Sequence, residues 1–404
     1  MPGEIPLSMP DVSDAEITAV SAVLRSGRLT AGPSVDQFEY HLAERCGCTS
    51  GIAVSSGTAA LHLALLALGI GAGDEVIVSP FGFIGTANAI RFTGAEPVFV
   101  DIDSITMNLD LEKLESSITD RTRAIIAAAT LGNPSGLDRI AALAARHEIP
   151  LIENGSEGFG ATVKGRPVGS FGRLAIFSFY PNRVITTGEG GAIVTSDTHL
   201  ADQLKSLRDH GRRAPSYTSS LGNGHPHERL GYSYRLSDMA AALGVAQLAR
   251  FDEIIRKRRR IASLYFDRLM DLHELILPTM DSEVELSWFN FTVRLDHEFQ
   301  QIHRDRIISG LHRHEVGASN YFVPIHLQPC YQKTGGYETG AFPVTESIGS
   351  RTIGLPFFNQ LEESQIDLVV NTLRIMLDRE KIALAAERAE QEGPGEQMDP
   401  PPRA

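Results

Sequence analysis

Ser178-Phe-Tyr-Pro-Asn-Arg183-Val-Ile-Thr-Thr-Gly188-Glu-Gly-Gly191 lies between two apolar runs, Leu174-Ala-Ile-Phe177 and Ala192-Ile-Val-Thr195. Both runs read as buried strands. The glycines of the loop between them permit backbone conformations closed to other residues. Outward from this segment the same kind of run recurs: Gly51-Ile-Ala-Val54, Glu75-Val-Ile-Val78, Pro97-Val-Phe-Val100, Ala124-Ile-Ile-Ala127 and Pro150-Leu-Ile-Glu153. Helix-like stretches intervene, from Thr58 to Leu68 and from Ile84 to Phe92. Strands buried on both faces read as continuous apolar runs, and parallel neighbours need crossovers. The expected fold class is therefore α/β, with a mostly parallel central sheet covered by helices. Ligands in such sheets gather at strand ends, where Gly57, Asn154 and Ser178 are placed.

Farther along, a helical stretch from Ser237 to Leu269 is expected to leave a large domain, residues 1–250, and enter a smaller C-terminal α/β domain, residues 251–384. That domain is expected to hold a strand from Trp288 to Arg294 and helices from His303 to His314 and from Glu362 to Leu377. Residues 385–404, ending in Gly393-Pro-Gly-Glu and Asp399-Pro-Pro-Pro-Arg403, are expected to be a disordered tail, since they cannot build a core.

The bulk properties bound the function. The chain has 404 residues, 42% of them hydrophobic, enough for two domains with substantial cores. Its net charge is −13 and its pI about 5.5, and the densest basic run, Arg256-Lys-Arg-Arg-Arg260, falls in a helical stretch, so no nucleic-acid partner is expected. No apolar stretch reaches membrane-spanning length, and Met1-Pro-Gly-Glu-Ile-Pro lacks the pattern of a signal peptide. Cys46, Cys48 and Cys330 form no disulfide framework, which suits a reducing compartment; the expected location is cytoplasmic.

Several ordered motifs resemble the DegT/DnrJ/EryC1/StrS family, sugar aminotransferases that use pyridoxal phosphate (PLP). They are Ser26-Gly-Arg-Leu-Thr-Ala-Gly-Pro33 with Phe38-Glu39, Ser55-Ser-Gly57-Thr58-Ala-Ala-Leu61, Pro80-Phe-Gly-Phe83-Ile-Gly-Thr86, and Leu151-Ile-Glu-Asn154-Gly-Ser-Glu157-Gly-Phe-Gly-Ala161. The opening segment follows, then Gly231-Tyr-Ser233-Tyr-Arg235-Leu-Ser237 and Phe322-Val-Pro-Ile-His326-Leu-Gln-Pro329. The resemblance runs from Ile5 to Leu377 and implies the fold-type I aminotransferase architecture. It also implies a homodimer with shared sites and a nucleotide-sugar or related small-molecule substrate.

The same resemblance assigns roles and exposes departures. Gly57 and Thr58 match the phosphate turn, with Ser178 beside it, and Phe83 matches the aromatic that stacks on the cofactor ring. Arg183 stands where the family has the lysine whose amine forms an imine with PLP. A guanidinium stays protonated and has no nucleophilic lone pair, so it cannot form that bond. Asn154 stands where an aspartate holds the pyridinium proton, and a neutral amide supplies no charge to do so. Ser233 stands where an asparagine reaches the neighbouring subunit's cofactor phosphate, and Ala128-Ala129 where a histidine is usual. No other lysine offers a replacement. The expectation is therefore no covalently bound cofactor, and either no PLP at all or non-covalent pyridoxamine phosphate or PLP.

Each motif also has a plainer reading. Ser55 or Ser56 could simply cap the helix at Gly57, and Phe83 could be a core aromatic. Arg183 could bind an anionic substrate or a phosphate, act as a fixed cation beside a developing negative charge, or pair with Glu157, which could itself be a general base. His326 could contact substrate at its entrance or be a hydrogen-bonded loop residue. For the whole protein, three readings stand open: a repurposed enzyme without imine-based transamination, a non-catalytic subunit pairing with an active paralogue in a heterodimer, and a conventional nucleotide-sugar aminotransferase.

Overall fold

The computed structural model of the chain describes residues 4–212 and 226–392. In chain order the first strands are β1 (Ser50–Val54), β2 (Glu75–Val78), β3 (Glu96–Phe99), β4 (Thr122–Ala128) and β5 (Leu151–Asn154). Two short strands, β6 (Thr162–Val163) and β7 (Arg166–Pro167), precede β8 (Leu174–Ser178) and β9 (Gly191–Thr195). Seven of these build the central sheet, in the order β1-β9-β8-β5-β4-β2-β3. The pairs from β8 through β5, β4 and β2 to β3 are parallel, while β9 is antiparallel to both β8 and β1. The sheet is thus mostly parallel, with β9 alone reversed.

The apolar runs bury both faces. Ala53, Ile77, Ile125, Ala175 and Val194 point into one core, and Ile52, Val76, Ile126, Ile176 and Ile193 into the other. Helix Pro33–Arg45 packs over the first face, and helices Gly57–Ala67 and Thr198–Arg208 over the second. Residue alternation along each strand therefore divides one continuous apolar run between two cores.

The outer edge of β1 is met at Val54 by a backbone bridge to Arg235 and at Ala53 by side chains. The Ala53 amide donates to Glu39 Oε1 (2.8 Å), and the Ala53 carbonyl accepts from Arg208 Nη1 (2.7 Å). Arg208 and Glu39 are also paired with each other, and both residues are buried. An exposed strand edge is a liability, and this ion pair satisfies it.

A third core surrounds a three-stranded sheet of β10 (Leu275–Ile276), β12 (Phe291–Leu295) and β13 (Thr352–Leu355). Between β10 and β12 lies β11 (Val284–Glu285), which pairs with β6. Tyr265 is fully buried in this core and donates its hydroxyl hydrogen to the Pro356 carbonyl (2.7 Å). Ile5 packs in the same core, so the N-terminal segment crosses to it. Among the described residues no helix is long and apolar enough to cross a membrane.

Three local expectations are corrected. The stretch from Ser237 to Leu269 is two helices, Asp238–Ala249 and Phe251–Leu269. Arg250 between them leaves helical geometry, and its guanidinium bonds Glu16 (3.0 Å) and Asp11 (3.2 Å). The expected strand at Trp288 begins only at Phe291, because Trp288 has a positive φ of 56° and the Trp288 and Phe289 carbonyls accept from Arg258. Helix Glu363–Glu392 runs through positions 385–392, which were assigned to the tail; the rest of that assignment, 393–404, lies outside the described residues.

Candidate active site

A cavity of about 490 Å³ opens at the C-terminal ends of the parallel strands, lined by Ser79, Ala128, Asn154 and Ser178 among others. Strand ends supply it because the chain must leave the sheet there, so loops and helix starts converge.

Helix Gly57–Ala67 starts close behind β1. Ser56 caps it, its Oγ accepting from the Ala59 amide (3.1 Å) and its carbonyl from the Ala60 amide (3.0 Å). The Gly57 and Thr58 amides remain outside the helical ladder, at the positive end of the dipole. Gly57 has to be glycine: a Cβ there would lie 2.7 Å from Ser178 Cβ. Gly191 is equally constrained, its Cβ falling 2.5 Å from the Ser56 carbonyl carbon. The two glycines let β8, β9 and the helix start meet at one point. Ser56 therefore caps the helix, and the same turn still presents two amides and the Ser178 hydroxyl to the cavity.

Phe83 is no core residue. It lines the cavity with its side chain 63% exposed, which leaves a face free for a planar ring. Across the cavity Asn154 donates from Nδ2 to Thr86 Oγ1 (3.1 Å) and accepts at Oδ1 from the Ser156 amide (3.3 Å). One Nδ2 hydrogen remains to meet an acceptor.

Arg183 and Glu157 close the opposite wall. Arg183 Nη1 stands 3.5 Å from Glu157 Oε1, each side chain 15% exposed. The second Glu157 oxygen accepts from the Leu131 amide (2.7 Å). Burial pushes the Glu157 carboxyl above the usual range, against the pull of Arg183 and the Leu131 amide. The Arg183 guanidinium lies over the Phe289 ring, 4.7 Å from its centroid. Phe289 in turn meets Tyr321 edge-on at 6.3 Å.

Gly57, Thr58, Phe83, Asn154, Glu157, Ser178 and Arg183 thus all line one cavity. Ser233, whose expected place is at the neighbouring subunit's site, and His326 do not. Ser233 is off the lining; its hydroxyl accepts from Arg235 (3.0 Å) and its backbone bridges to Asp209. His326 is fully buried, its Nε2 bonded to Glu346 Oε1 (3.0 Å) and its ring edge-on to Phe342 at 4.7 Å. Its neighbour Ile325 lines the cavity instead. Burial holds the His326 imidazole below the usual histidine range despite Glu346. We expect His326→Ala to lower the unfolding free energy by about 2 kcal/mol, from the lost buried hydrogen bond and ring packing. The same change should leave ligand affinity in the cavity within a few-fold. Urea unfolding and a ligand titration on one preparation check both halves.

Phe289, Tyr321, Tyr180, Asn182 and Thr130 line the cavity without having been singled out from the sequence. Asn182 adjoins Arg183 and Thr130 adjoins Ala129, so the motif windows contained them. Nothing local marks Phe289.

The lining residues offer places for the phosphate and the planar ring of a pyridoxal-type ligand. A phosphate fits the Gly57–Thr58 turn with Ser178, a planar ring fits beside Phe83, and a ring acceptor fits Asn154 Nδ2. No lysine stands at the cavity to form a covalent imine. The chain's lysines, Lys113, Lys164, Lys205, Lys257, Lys333 and Lys381, are all among the described residues, and none lines the cavity. Among the described residues no cluster of His, Cys, Asp and Glu is placed to hold a metal ion.

Comparison with known proteins follows the same lines. The model of the DegT/DnrJ/EryC1/StrS aminotransferase family matches residues 10–374. The spore coat polysaccharide biosynthesis protein SpsC of Bacillus subtilis (strain 168) is 37% identical over 374 residues, 92% of this chain and 96% of SpsC. The aminotransferase TlmJ from Streptoalloteichus hindustanus superposes with a TM-score of 0.86 at 30% identity, over 93% of this chain and 100% of TlmJ. Spr1654 from Streptococcus pneumoniae in its PMP-form superposes with a TM-score of 0.87 at 25% identity, over 94% of this chain and 99% of that one.

Proposed function

Since the chain belongs to the DegT/DnrJ/EryC1/StrS aminotransferase family, we propose that it acts on a nucleotide-sugar or related biosynthetic intermediate without transamination through a lysine-linked cofactor. One observation carries this reading: the guanidinium of Arg183 occupies the cavity wall, and no lysine of the chain lines that cavity. SpsC, a relative by sequence, is named for polysaccharide biosynthesis, which supports a sugar-class substrate. The PMP-form of Spr1654 supports a pyridoxamine-type ligand held without a covalent bond. When bound, such a ligand supplies an amine and an aromatic ring. The chain's own residues would bind its phosphate at Gly57, Thr58 and Ser178, lay its ring beside Phe83, and donate to its ring nitrogen from Asn154. Asn154 cannot hold a proton on that nitrogen, so the electron sink of a protonated ring is not provided here.

Function lives in the site rather than the fold, so the test is made on the site. Purified protein titrated with PLP should develop no imine absorbance and carry no adduct after borohydride. Pyridoxamine phosphate should still bind, read by quenching of Trp288, the chain's single tryptophan and the neighbour of Phe289. A stoichiometric PLP adduct mapped by mass spectrometry to a single lysine, and prevented by saturating pyridoxamine phosphate, would refute the reading.

A further inference from the structure

Unpaired polar atoms gather on one wall of the cavity. Arg183 Nε and Nη1, Thr130 Oγ1 and Asn182 Oδ1 are buried with no hydrogen-bond partner among the described residues. All three residues line the cavity. The 3.5 Å separation of Arg183 Nη1 from Glu157 Oε1 is an ion pair but falls outside ordinary hydrogen-bond length.

The guanidinium is nevertheless held in place. It rests on the Phe289 ring, and the Phe289 backbone is fixed from behind. The buried Arg258 donates to the carbonyls of Trp288 (2.6 Å) and Phe289 (2.7 Å). A desolvated guanidinium that is positioned but short of acceptors is costly. An incoming oxyanion that accepts from it removes that penalty, and a fixed donor gives up little freedom on binding.

We propose that Arg183, backed by Phe289 and flanked by Thr130 and Asn182, is a receptor for an oxyanion of the substrate, a carboxylate or a phosphoryl group. Thr130 and Asn182 would then read hydroxyl groups beside that anion. The proposal rests on the reading of this cavity as the ligand site, but not on any pyridoxal ligand occupying it.

Glu157 makes the binding proton-linked. Its Oε2 is tied to the Leu131 amide, so it cannot swing away when a second anion approaches Arg183. Tyr321 faces the same pair and is kept protonated by burial and by the Glu157 charge. Glu189 also lines the cavity and adds negative charge. Two negative groups sharing one guanidinium favour protonation of one of them. Glu157, already raised by burial, takes up that proton. Affinity for the anion therefore rises as pH falls, until Glu157 is protonated in the free protein as well.

Calorimetric titration of the full chain with oxalate and, separately, with inorganic phosphate tests this, in two buffers of different ionisation enthalpy and over a range of pH. The expected result is binding of at least one probe with net proton uptake and higher affinity at lower pH. Saturation by oxalate assigns a carboxylate, and saturation by phosphate alone a phosphoryl group. Arg183→Gln should weaken the binding about 10- to 100-fold, the range for a charge-assisted hydrogen bond. Arg183→Lys, which keeps the charge, should retain part of it if the glutamine variant fails to fold. Glu157→Gln should bind the anion with proton uptake reduced to what the anion's own ionisation supplies. Circular dichroism establishes that each variant is folded. Unchanged affinity in folded Arg183→Gln overturns the proposal, as does proton uptake undiminished in Glu157→Gln or a failure of both probes to bind. If pyridoxamine phosphate binds and neither anion does, the receptor falls and the ligand site stands. If an anion binds through Arg183 and pyridoxamine phosphate does not, the receptor stands and the cofactor cradle falls.

Discussion

The Arg183→Lys/Asn154→Asp double variant should turn yellow with PLP and keep a borohydride-stable adduct on the introduced lysine, where the natural chain gives neither. The wall residue at 183 already faces the cavity, between Asn182 and the ring of Phe289. A lysine there brings a primary amine with a usable lone pair, provided part of it is deprotonated. Removing the guanidinium also frees Glu157 from its ion pair, and a buried carboxylate beside the amine would hold it protonated. The single variant should for that reason react slowly and incompletely. The aspartate at 154 adds the missing charge at the ring nitrogen and strengthens the hold on the ring, so the two changes should act more than additively. The measurement is absorbance during PLP titration, then intact mass after reduction. If the double variant stays colourless while remaining folded, the cradle of Gly57, Thr58, Phe83 and Ser178 does not seat PLP, and the assignment of those residues to a phosphate and a ring is wrong.

Arg208→Met should lower the unfolding free energy by about 3–5 kcal/mol, the range for removing one partner of a buried ion pair. The loss is doubled in kind. Glu39 keeps a buried charge without its counter-ion, and the Ala53 carbonyl loses the donor that closes the edge of β1. Glu39→Gln should cost less, since a side-chain carbonyl can still accept from the Ala53 amide. The Arg208→Met/Glu39→Leu pair should recover much of the loss by removing the stranded charge, though the Ala53 backbone groups stay unpaired. Denaturant unfolding followed by circular dichroism gives all three values. Because β1 leads directly into the turn at Gly57, ligand affinity should fall with stability in Arg208→Met. A fully stable Arg208→Met protein would show that the edge is closed by something other than this pair.

Much of the architecture is legible in the sequence. Continuous apolar runs predicted the strands because both faces of the sheet are covered, so no polar face interrupts the pattern. Gly51–Val54, Glu75–Val78 and Leu174–Phe177 fall within a residue of β1, β2 and β8. The helices at Gly57 and Gly85 are equally plain, because in each case an apolar stretch of helical length follows a strand. The helix break at Arg250 was not legible. No proline or glycine stands at the break, and it coincides with side-chain bonds to Asp11 and Glu16, more than two hundred positions away.

The same division holds at the cavity. Which residue types are present, and that position 183 is an arginine rather than a lysine, belong to the sequence alone, because protonation and nucleophilicity are properties of the side chain itself. What those residues face was decided by tertiary structure. Phe289 is the platform for Arg183, and Arg258, distant in the chain, bonds its carbonyl. His326 left the cavity wall because Glu346 and Phe342 hold it inside the protein. Phe83 proved exposed where its type alone pointed to a core. Contacts such as these join residues distant in the chain, and no local pattern of sequence encodes which partner a side chain will meet.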